Sequence, residues 1–442
     1  MTAFNEPVAP GGHHDPAPPD PEPPMTPAQR NAFLGSFGGW AVDGFTLATF
    51  GLVLAPTLTD LLPRTGVEPT TANVGFYGQL GGAVFLLGWG CSFLWGPIAD
   101  RFGRKPAMIG SILLFSLFTA LAGLSTNVWQ WMAFRFLCAV GIGGEWAMAG
   151  TVVAEAVPER LRVKLGGILH SANYIGQLAT AVIYLAFGQL LGWRGLFLLG
   201  LVPALMVLFI RRNTEEPARW QAKSAQRQRQ SLFAPMRAIL SGEYRRRTIG
   251  NLLLLVVCVI GLWATATYVP TAVTDMAKRA GWEPSSVTML AGASAALSAI
   301  FTIIGCLCTP RLVDRLGRKG ALALLFVLMM VGIIGLYAIA YPLGSITLVF
   351  AVLPILGFGG ANFAVFTIWL PEQYPTSIRA TAFAFTTTIS RWFAAAGTFV
   401  LGFAIHAAGS LSLPLAATAL AFVLGLLLLP LVPETRDSVL PD

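Results

Sequence analysis

Residues 96–105 read GPIADRFGRK, and residues 310–319 read PRLVDRLGRK. The pattern Asp-Arg-x-Gly-Arg-Lys therefore occurs twice, about half the chain length apart. A glycine between charged residues is typical of a tight turn, because glycine adopts positive φ without steric cost. The two stretches predict short polar loops at equivalent places in two halves of the chain.

Two further pairs of motifs repeat in the same order. Residues 141–144 (GIGG) match residues 357–360 (GFGG), and the pattern Glu-x-x-Pro-x-x-x-Arg begins at both Glu155 and Glu372. Matches in order at a nearly constant offset indicate two copies of one structural unit.

Around these motifs, apolar residues run in segments of about 20 residues, the length that an α-helix needs to cross the hydrocarbon core of a membrane. Helices satisfy their own backbone polar groups and are therefore stable in lipid. The sequence predicts an all-α integral membrane protein with twelve transmembrane helices in two pseudo-symmetric six-helix bundles. The predicted segments are 33–58, 73–95, 106–125, 128–153, 165–190 and 194–210, then 248–273, 285–309, 320–341, 345–370, 381–407 and 411–432.

The composition excludes other classes of protein. Only 11% of the residues are charged and 55% are hydrophobic, whereas a soluble chain carries roughly 25% charged residues. A soluble enzyme needs more surface charge than this, and a wholly disordered chain needs lower hydrophobicity.

The polar stretches divide the chain into five predicted parts. They are a proline-rich, disordered cytoplasmic tail (1–28), a first bundle (29–210), a basic cytoplasmic central loop (211–247), a second bundle (248–432) and a short cytoplasmic tail (433–442). No cleaved signal peptide is expected, because no basic stretch leads into a short apolar run near residue 1.

Lysine and arginine predict the orientation. With both termini in the cytoplasm, nearly all basic residues outside the segments lie in cytoplasmic loops and tails; the exceptions are Arg64, Arg194, Lys278 and Arg279. This is the positive-inside pattern of a multi-pass protein, here assigned to the cell membrane. The net charge of +8 then reflects topology and anionic lipid, and no nucleic-acid partner is expected.

Four charged residues lie deep inside predicted helices: Asp43, Arg135, Glu145 and Arg391. Such a residue costs about 2.5–3.5 kcal/mol at a helix centre, so it usually faces a cavity or a partner. Asp43 and Glu145, with Arg135, are predicted to couple protons, because a shielded carboxylate near an arginine changes protonation when solvent access changes. Structural ion pairing with Arg135 is the alternative.

Substrate-binding residues are predicted on both halves. Arg391 offers a fork of donors that matches a carboxylate, with a structural pair to Asp43 or a helix end as the alternative. Asn173 and Gln177 share one helical stripe with His170; the first two are predicted substrate ligands, and His170 a structural or gating residue rather than a proton relay. Asn362 and Tyr268 are further predicted substrate ligands, and Trp263 is a candidate for lining the cavity, with packing as the equally weighted alternative for all three.

These motifs together resemble the major facilitator superfamily of transporters over essentially the whole membrane part. The chain is most similar to proton symporters of organic acids, of the aromatic-acid and sialate/lactate groups. The residues that carry this narrower resemblance are Asp43-Gly44-Phe45, RFLCAVGIGGEW (135–146), Glu215-Glu216-Pro217 and PEQYPTSIRAT (371–381); Pro433-Glu434-Thr435-Arg436 resembles a sugar-porter signature. Many aromatic-acid members carry a second acid where Thr46 stands here.

The resemblance implies that the repeated loops gate the cytoplasmic side. Asp100 can accept hydrogen bonds from a neighbouring helix N-terminus, where the dipole favours negative charge, and this clasp would join helices two and eleven while the outside is open. A loop that only sets topology is the alternative. The implied gating residues are Asp100, Arg101, Gly103, Arg104, Asp314, Arg315, Gly317, Arg318, Glu155 and Glu372.

The sequence therefore predicts a secondary transporter that imports a small organic anion with a proton by alternating access. A proton-driven exporter of drugs or amphiphiles, a proton-coupled sugar porter, and a membrane-embedded enzyme or sensor are the alternatives. No metal or other cofactor is expected, because no His/Asp/Glu set has ligand spacing. The predicted partners are the organic acid, the proton and the lipid bilayer, and the protein is expected to be a monomer and not an enzyme.

Overall fold

The computed structural model describes residues 24–222, 231–436, 438 and 440–441. Most of the predicted N-terminal tail, part of the central loop and the side chain of Trp263 lie outside the described residues. All regular secondary structure within the described ranges is helical, as the apolar segments predict. We number the membrane-spanning helices α1–α12.

Six helices form the N-terminal half. They are α1 (Pro27–Leu61), α2 (Thr71–Cys91, continued by Ser92–Leu94 and Trp95–Phe102), α3 (Arg104–Gly123), α4 (Val128–Ala156), and α5 and α6, which share the run Glu159–Leu198. The φ of +57° at Gly192 breaks that run between α5 and α6, and α6 continues through Leu199–Leu201 and Pro203–Asn213. Thr26 is the N-cap residue of α1 and forms a capping box with Gln29. The capping box satisfies two backbone N–H groups that have no partner within the helix.

The C-terminal half repeats this order. Its helices are α7 (Gly242–Arg279), α8 and α9 (sharing Pro284–Ile333, with a π-helical end at Ile334–Ala340), α10 (Ile346–Gly359 and Asn362–Glu372), α11 (Arg379–Ala408) and α12 (Ser412–Ala417 and Ala419–Leu428). Gly317, with a φ of +74°, separates α8 from α9, and Gly103 has a φ of +115° at the equivalent place. The predicted positive φ of both loop glycines is confirmed.

Nine described runs are long and apolar enough to span a membrane. Two of them, Glu159–Ile210 and Pro284–Ala340, contain the breaks at Gly192 and Gly317 and so cross twice. With α7 they make twelve crossings, in agreement with the predicted architecture.

Helical structure extends into the predicted central loop. Helix α7 begins at Gly242 instead of 248, and the short helices Ala218–Ala222 and Ala234–Ile239 lie within the predicted loop. Hydropathy marks only the part of a helix in lipid, whereas the polar first turns of α7 are stabilised in water by pairs such as Glu243 with Arg247, 2.7 Å apart.

The two halves meet along two helix pairs, α2 with α11 and α5 with α8. Glycines allow these close approaches: a Cβ on Gly96 would lie 2.6 Å from Cα of Thr381, and one on Gly167 would lie 2.6 Å from Cγ of Pro310. Small residues at such crossings let helix backbones pack closely in lipid. The contacts enclose a space between the halves at mid-height.

Candidate functional site

A cavity of about 330 Å³ lies between the two halves. Helices α1, α2, α4 and α5 line it from one half, and helices α7, α8, α10 and α11 from the other. Its wall combines aromatic and aliphatic side chains with several polar ones, and a mainly apolar wall with a small set of polar groups is typical of small-molecule sites. The aromatic and polar residues that line it include Trp40, Trp89, Trp146, His170, Asn173, Tyr174, Gln177, Phe363 and Arg391.

Arg391 supplies the positive charge of this cavity. Its Cζ lies 4.8 Å from the ring centroid of Trp89, 5.6 Å from that of Phe363 and 6.0 Å from that of Trp146. Its Nη1 donates to Ser390 Oγ at 3.1 Å, and its Nε has no hydrogen-bonding partner among the described residues. The aromatic faces hold the guanidinium by cation–π attraction. We call Arg391 with these three rings the aromatic cage.

Asn173 and Gln177 reach the same cavity from α5. Gln177 Nε2 donates to Asn173 Oδ1 at 2.8 Å, as expected for residues four apart on one helical stripe. The structure thus brings the predicted ligands Arg391, Asn173 and Gln177 together.

The other two predicted ligands lie elsewhere. Asn362 is fully buried and its Nδ2 donates to the carbonyl of Gly359 at 3.1 Å, because α10 is interrupted just before it. The expectation that Asn362 lines the cavity is therefore corrected. Tyr268 lines a second cavity.

The second cavity is larger, about 890 Å³. It shares Leu47, Gln177, Ala295 and Ala299 with the first one. Its remaining lining residues include Leu54 and Val74, at the end of α1 and the start of α2. The two cavities therefore make one path from mid-height towards the end of the bundle opposite the chain termini.

Asp43 and Glu145 lie buried beside this path in the N-terminal half. Their exposed fractions are 1% and 0%, and none of their carboxylate oxygens has a hydrogen-bonding partner in the described part of the chain. The absence of a side chain at Gly39 leaves room for the Glu145 carboxylate. The Ser111 hydroxyl faces Glu145 but donates to the carbonyl of Met108 at 2.9 Å.

Arg135 is held by aromatic rings, and no described ion pair joins it to Asp43 or Glu145. Its Cζ lies 4.4 Å from the ring centroid of Phe50 and 4.3 Å from that of Phe85. Its Nε and Nη2 have no hydrogen-bonding partner among the described side chains and backbone. In this conformation, therefore, the described ion pairs do not include the alternative arrangement, in which Asp43 or Glu145 pairs with Arg135.

At the end that carries the chain termini, Asp100 clasps the other half. Its Oδ2 accepts from the backbone N of Thr381 at 2.9 Å and from Thr381 Oγ1 at 2.6 Å. Thr381 lies in the first turn of α11, where free backbone N–H groups and the helix dipole favour an anion. The predicted bond between Asp100 and a neighbouring helix N-terminus is confirmed as a contact.

A buried ion-pair cluster lies next to this clasp. Arg104 Nη2 is 3.0 Å from Glu155 Oε1, and Arg379 Nη1 is 2.7 Å from the same oxygen. Arg104 also lies 2.9 Å from Asp100 Oδ1 and donates to the carbonyl of Thr376. The cluster joins α3 and α4 of one half to α11 of the other.

The described ion pair of the equivalent residues in the C-terminal half lies within that half. Arg318 Nη2 pairs with Glu372 Oε1 at 2.8 Å, and Thr435 Oγ1 donates to Glu372 Oε2 at 2.5 Å. Asp314, the repeat of Asp100, is exposed. Of the remaining loop arginines, Arg101 lies over the Phe102 ring and the backbone carbonyl of Arg315 accepts from Arg436. The repeat in sequence therefore becomes an asymmetry in structure.

Glu216 and Glu434 are equivalent residues to which the sequence assigned no role. Glu216 accepts from the backbone N–H groups of Arg104 and Lys105, at 3.0 and 2.9 Å. Glu434 accepts from the backbone N–H groups of Arg318 and Lys319, each at 2.9 Å. Each carboxylate caps the helix that follows a loop glycine. The sequence did contain a signal for both glutamates, because each stands beside a proline in a signature of the family resemblance, Glu215-Glu216-Pro217 or Pro433-Glu434-Thr435-Arg436.

Burial acts to raise the pKa of both glutamates, but the net shift of the pKa differs between them. Burial raises the pKa of Glu216, and the hydrogen bonds from two backbone N–H groups offset this only partly. Burial also acts to raise the pKa of Glu434, but four backbone N–H groups outweigh it, and the pKa is lowered.

Sequence comparison identifies relatives of the chain. The sequence profile of the Major Facilitator Superfamily matches residues 32–398. A probable 4-methylmuconolactone transporter of Cupriavidus pinatubonensis is 33% identical over 432 residues, 94% of this chain and 93% of that protein. The sialic acid transporter NanX of Escherichia coli is 33% identical over 198 residues, 44% of this chain and 46% of that protein.

Among solved structures, the chain is similar to the proton:xylose symporter XylE bound to 6-bromo-6-deoxy-D-glucose. The TM-score is 0.77 at 19% identity, over 93% of this chain and 98% of that one. At this identity the likeness concerns the fold alone, and the fold is the one that the repeated motifs predict.

Proposed function

The chain belongs to the Major Facilitator Superfamily and is a membrane transporter of small molecules, and we propose that it imports an organic acid together with a proton by alternating access. The aromatic cage around Arg391 is the observation that carries this proposal.

Arg391 calls for an anionic substrate. A buried cation without a counter-ion is costly, and the aromatic cage compensates only part of the lost hydration. A substrate carboxylate would supply the missing charge and accept two parallel N–H bonds from the guanidinium. The apolar body of the acid would contact the rings of Trp89, Trp146 and Phe363. The relatives named for 4-methylmuconolactone and sialic acid support an organic acid as the cargo.

Asp43 and Glu145 are the proposed proton carriers. Both are buried, and their oxygens have no hydrogen-bonding partner among the described residues. A buried, unpaired carboxylate is costly, so a proton on each carboxyl group is favoured while the group stays shielded from water. Release of a proton would follow the entry of water, or a movement of the Arg135 guanidinium from between the Phe50 and Phe85 rings towards the carboxyl groups. We propose Arg135 as the group that promotes release.

Alternating access would use the two ends of the path in turn. The Asp100–Thr381 clasp and the Glu155 cluster close the end that carries the termini, while the larger cavity leads to the opposite end. Rocking of the halves around the aromatic cage would break these contacts and open that end. The positive-inside pattern supports a cytoplasmic location for the closed end and for both termini.

The test is transport by the purified protein in liposomes with an imposed pH gradient. Labelled 4-methylmuconolactone, sialic acid and 4-hydroxybenzoate are compared with xylose and with a cationic dye. We expect an acid to accumulate and a protonophore to abolish its accumulation. Accumulation that persists with the protonophore would contradict proton symport, and accumulation of xylose or of the dye alone would contradict the acid class.

Two arginine variants sharpen this experiment. Arg391→Ala should lose affinity for the acid, because the cage then holds no cation. Arg64→Ala is the matched control, since Arg64 is half-exposed and its described ion pair is with Asp60, four residues earlier. Full affinity in Arg391→Ala would remove the anion site from the proposal.

A further inference from the structure

A hydrogen-bonded chain of three side chains crosses between the halves under the cavity. Trp146 Nε1 donates to Thr367 Oγ1 at 3.1 Å, and Thr367 Oγ1 lies 3.1 Å from Nδ1 of His170. Trp146 and His170 belong to α4 and α5 of one half, whereas Thr367 belongs to α10 of the other. All three are buried.

The direction of these bonds follows from the donors. An indole N–H only donates, so Thr367 Oγ1 is an acceptor towards Trp146, and its single hydrogen remains for one further bond. The choices are His170 Nδ1 and the carbonyl of Phe363 at 3.4 Å.

The second choice is a poor hydrogen bond. Hydroxyl-to-oxygen bonds measure about 2.5–3.0 Å, and Thr57, Thr151 and Thr387 bond the carbonyl four residues earlier at 2.7 Å. The Thr367 hydroxyl thus lies farther from the carbonyl of its own helix than these three threonine hydroxyls do, and it lies closer to His170 Nδ1 than to that carbonyl. Donation to Nδ1 is thus the better of the two bonds open to this hydroxyl, and a neutral imidazole that accepts at Nδ1 carries its hydrogen on Nε2.

The Nε2 atom of His170 has no hydrogen bond among the described residues. His170 lines the cavity, and its only described hydrogen bond is the one at Nδ1. His170 and Arg391 share two aromatic neighbours: the imidazole centroid lies 5.4 Å from that of Trp146 and 6.3 Å from that of Phe363. A neutral N–H donor here adds a hydrogen bond without a second positive charge beside Arg391.

We propose that His170 is a substrate-binding residue that donates Nε2–H to the acid held by Arg391, and that Thr367 is its positioning residue. This assignment rests on the proposed function, because it takes the organic acid as the ligand of the cavity. It replaces the purely structural or gating role that the sequence favoured for His170.

The position of Thr367 links binding to conformation. Its hydroxyl reaches His170 only while α10 packs against α4 and α5, at the side where the termini lie. When the halves separate there, His170 loses the bond that selects its tautomer, and the acid loses an oriented donor. The substrate is therefore held more tightly before the halves separate on that side than after.

The first measurement is the tautomer of His170. Nitrogen NMR of the full-length protein with ¹⁵N-labelled histidine separates the two neutral forms, and His170→Gln assigns the signal among the four histidines. We expect the Nε2–H form in the wild type, a mixture in Thr367→Val and recovery in Thr367→Ser. An Nδ1–H form in the wild type would overturn the proposal.

The second measurement is the dissociation constant for labelled 4-methylmuconolactone. An Asn amide reaches the place of Nδ1 and a Gln amide that of Nε2, so His170→Asn should weaken binding about tenfold or more while His170→Gln stays close to the wild type. Thr367→Val should weaken binding and Thr367→Ser should restore it. Unchanged affinity in both His170→Asn and Thr367→Val would overturn the proposal. If the wild type binds neither this acid nor any other of the panel, the proposed function fails, and the tautomer alone decides the orientation of His170.

Discussion

Nη1 of Arg379 lies 2.7 Å from Oε1 of Glu155, so an arginine of one half neutralises a buried carboxylate of the other. The repeat-equivalent carboxylate, Glu372, pairs with Arg318 of its own half. One motif thus serves as a contact between the halves in the first copy and as an internal brace in the second.

Replacing these two glutamates should separate the two roles. Removing one partner of a buried ion pair costs about 3–5 kcal/mol, so both Glu155→Gln and Glu372→Gln should lower the thermal unfolding temperature in detergent. Only Glu155→Gln should also shift the protein towards a state that is open at the end carrying the termini.

Spin labels on the two repeated loops measure that shift. Phe102 and Leu316 are equivalent loop positions with exposed fractions of 57% and 49%, and cysteines there can be labelled after the five native cysteines are replaced. The distance between labels should lengthen in Glu155→Gln and stay the same in Glu372→Gln. Equal distances in both variants would show that the Glu155 cluster does not hold the halves together.

The Asp100–Thr381 clasp should control the rate of transport. Asp100→Asn keeps the size of the side chain but weakens charge-assisted hydrogen bonds to α11, each worth about 1.5–3 kcal/mol. We expect normal membrane insertion and an uptake rate that falls about tenfold, measured in the same liposomes. Asp314→Asn, at the exposed equivalent position, is the control and should transport normally. Normal uptake by a well-folded Asp100→Asn protein would contradict the predicted gating role of Asp100.

Helices α1 and α5 should not tolerate a methyl group where they cross. A Cβ on Gly176 would overlap the carbonyl of Ala41, and one on Gly44 would overlap the carbonyl of Asn173. Overpacking costs about 1–3 kcal/mol or more, so Gly176→Ala should unfold at a lower temperature. Gly51→Ala, on α1 with nothing within 4 Å of the added methyl, should be neutral or stabilising. Equal stability of the two variants would argue against this close crossing.

Glu216 and Glu434 should respond to pH in opposite directions. The lowered pKa of Glu434 means that its contribution to stability is present at neutral pH and is lost as the pH falls through that pKa. The raised pKa of Glu216 means that the folded state holds its proton more tightly than the unfolded state does. Its contribution is therefore greatest at low pH and decreases as the pH rises through that pKa.

Unfolding temperatures across pH test this contrast. The difference between wild type and Glu434→Gln should shrink as the pH falls below 4.5, the ordinary pKa of the group. The difference between wild type and Glu216→Gln should shrink as the pH rises above 4.5. Parallel pH profiles for the two variants would mean that burial does not distinguish the two sites.

Much of the fold could be predicted from the sequence because lipid imposes a simple rule on it. Apolar segments of the right length and the repeated motifs predict twelve crossings in two halves, and the family resemblance, with the helix dipole, implies the contact between Asp100 and a helix N-terminus. Hydropathy does not mark where a helix continues into water, which is why the predicted start of α7 falls after Gly242.

The site could be predicted only in part, because it depends on how each helix is rotated about its axis. Arg391, Asn173 and Gln177 are polar residues in apolar helices, so their place in the cavity follows from the cost of burying them. Trp89, Trp146 and Phe363 resemble any other apolar residues of a membrane helix, and only the packed structure shows that they surround Arg391. Asn362 fails as a ligand because its own helix is interrupted beside it.

The aromatic cage also makes the cavity an optical sensor of its own contents. Three of the twelve tryptophans, Trp40, Trp89 and Trp146, line the cavity, and Trp40 and Trp146 stack with their ring centroids 5.6 Å apart. An acid that enters between these indoles and Arg391 changes the polarity around them, and an aromatic acid also quenches their emission by contact. Intrinsic fluorescence would thus report occupancy in the unmodified protein, without a label and independently of transport.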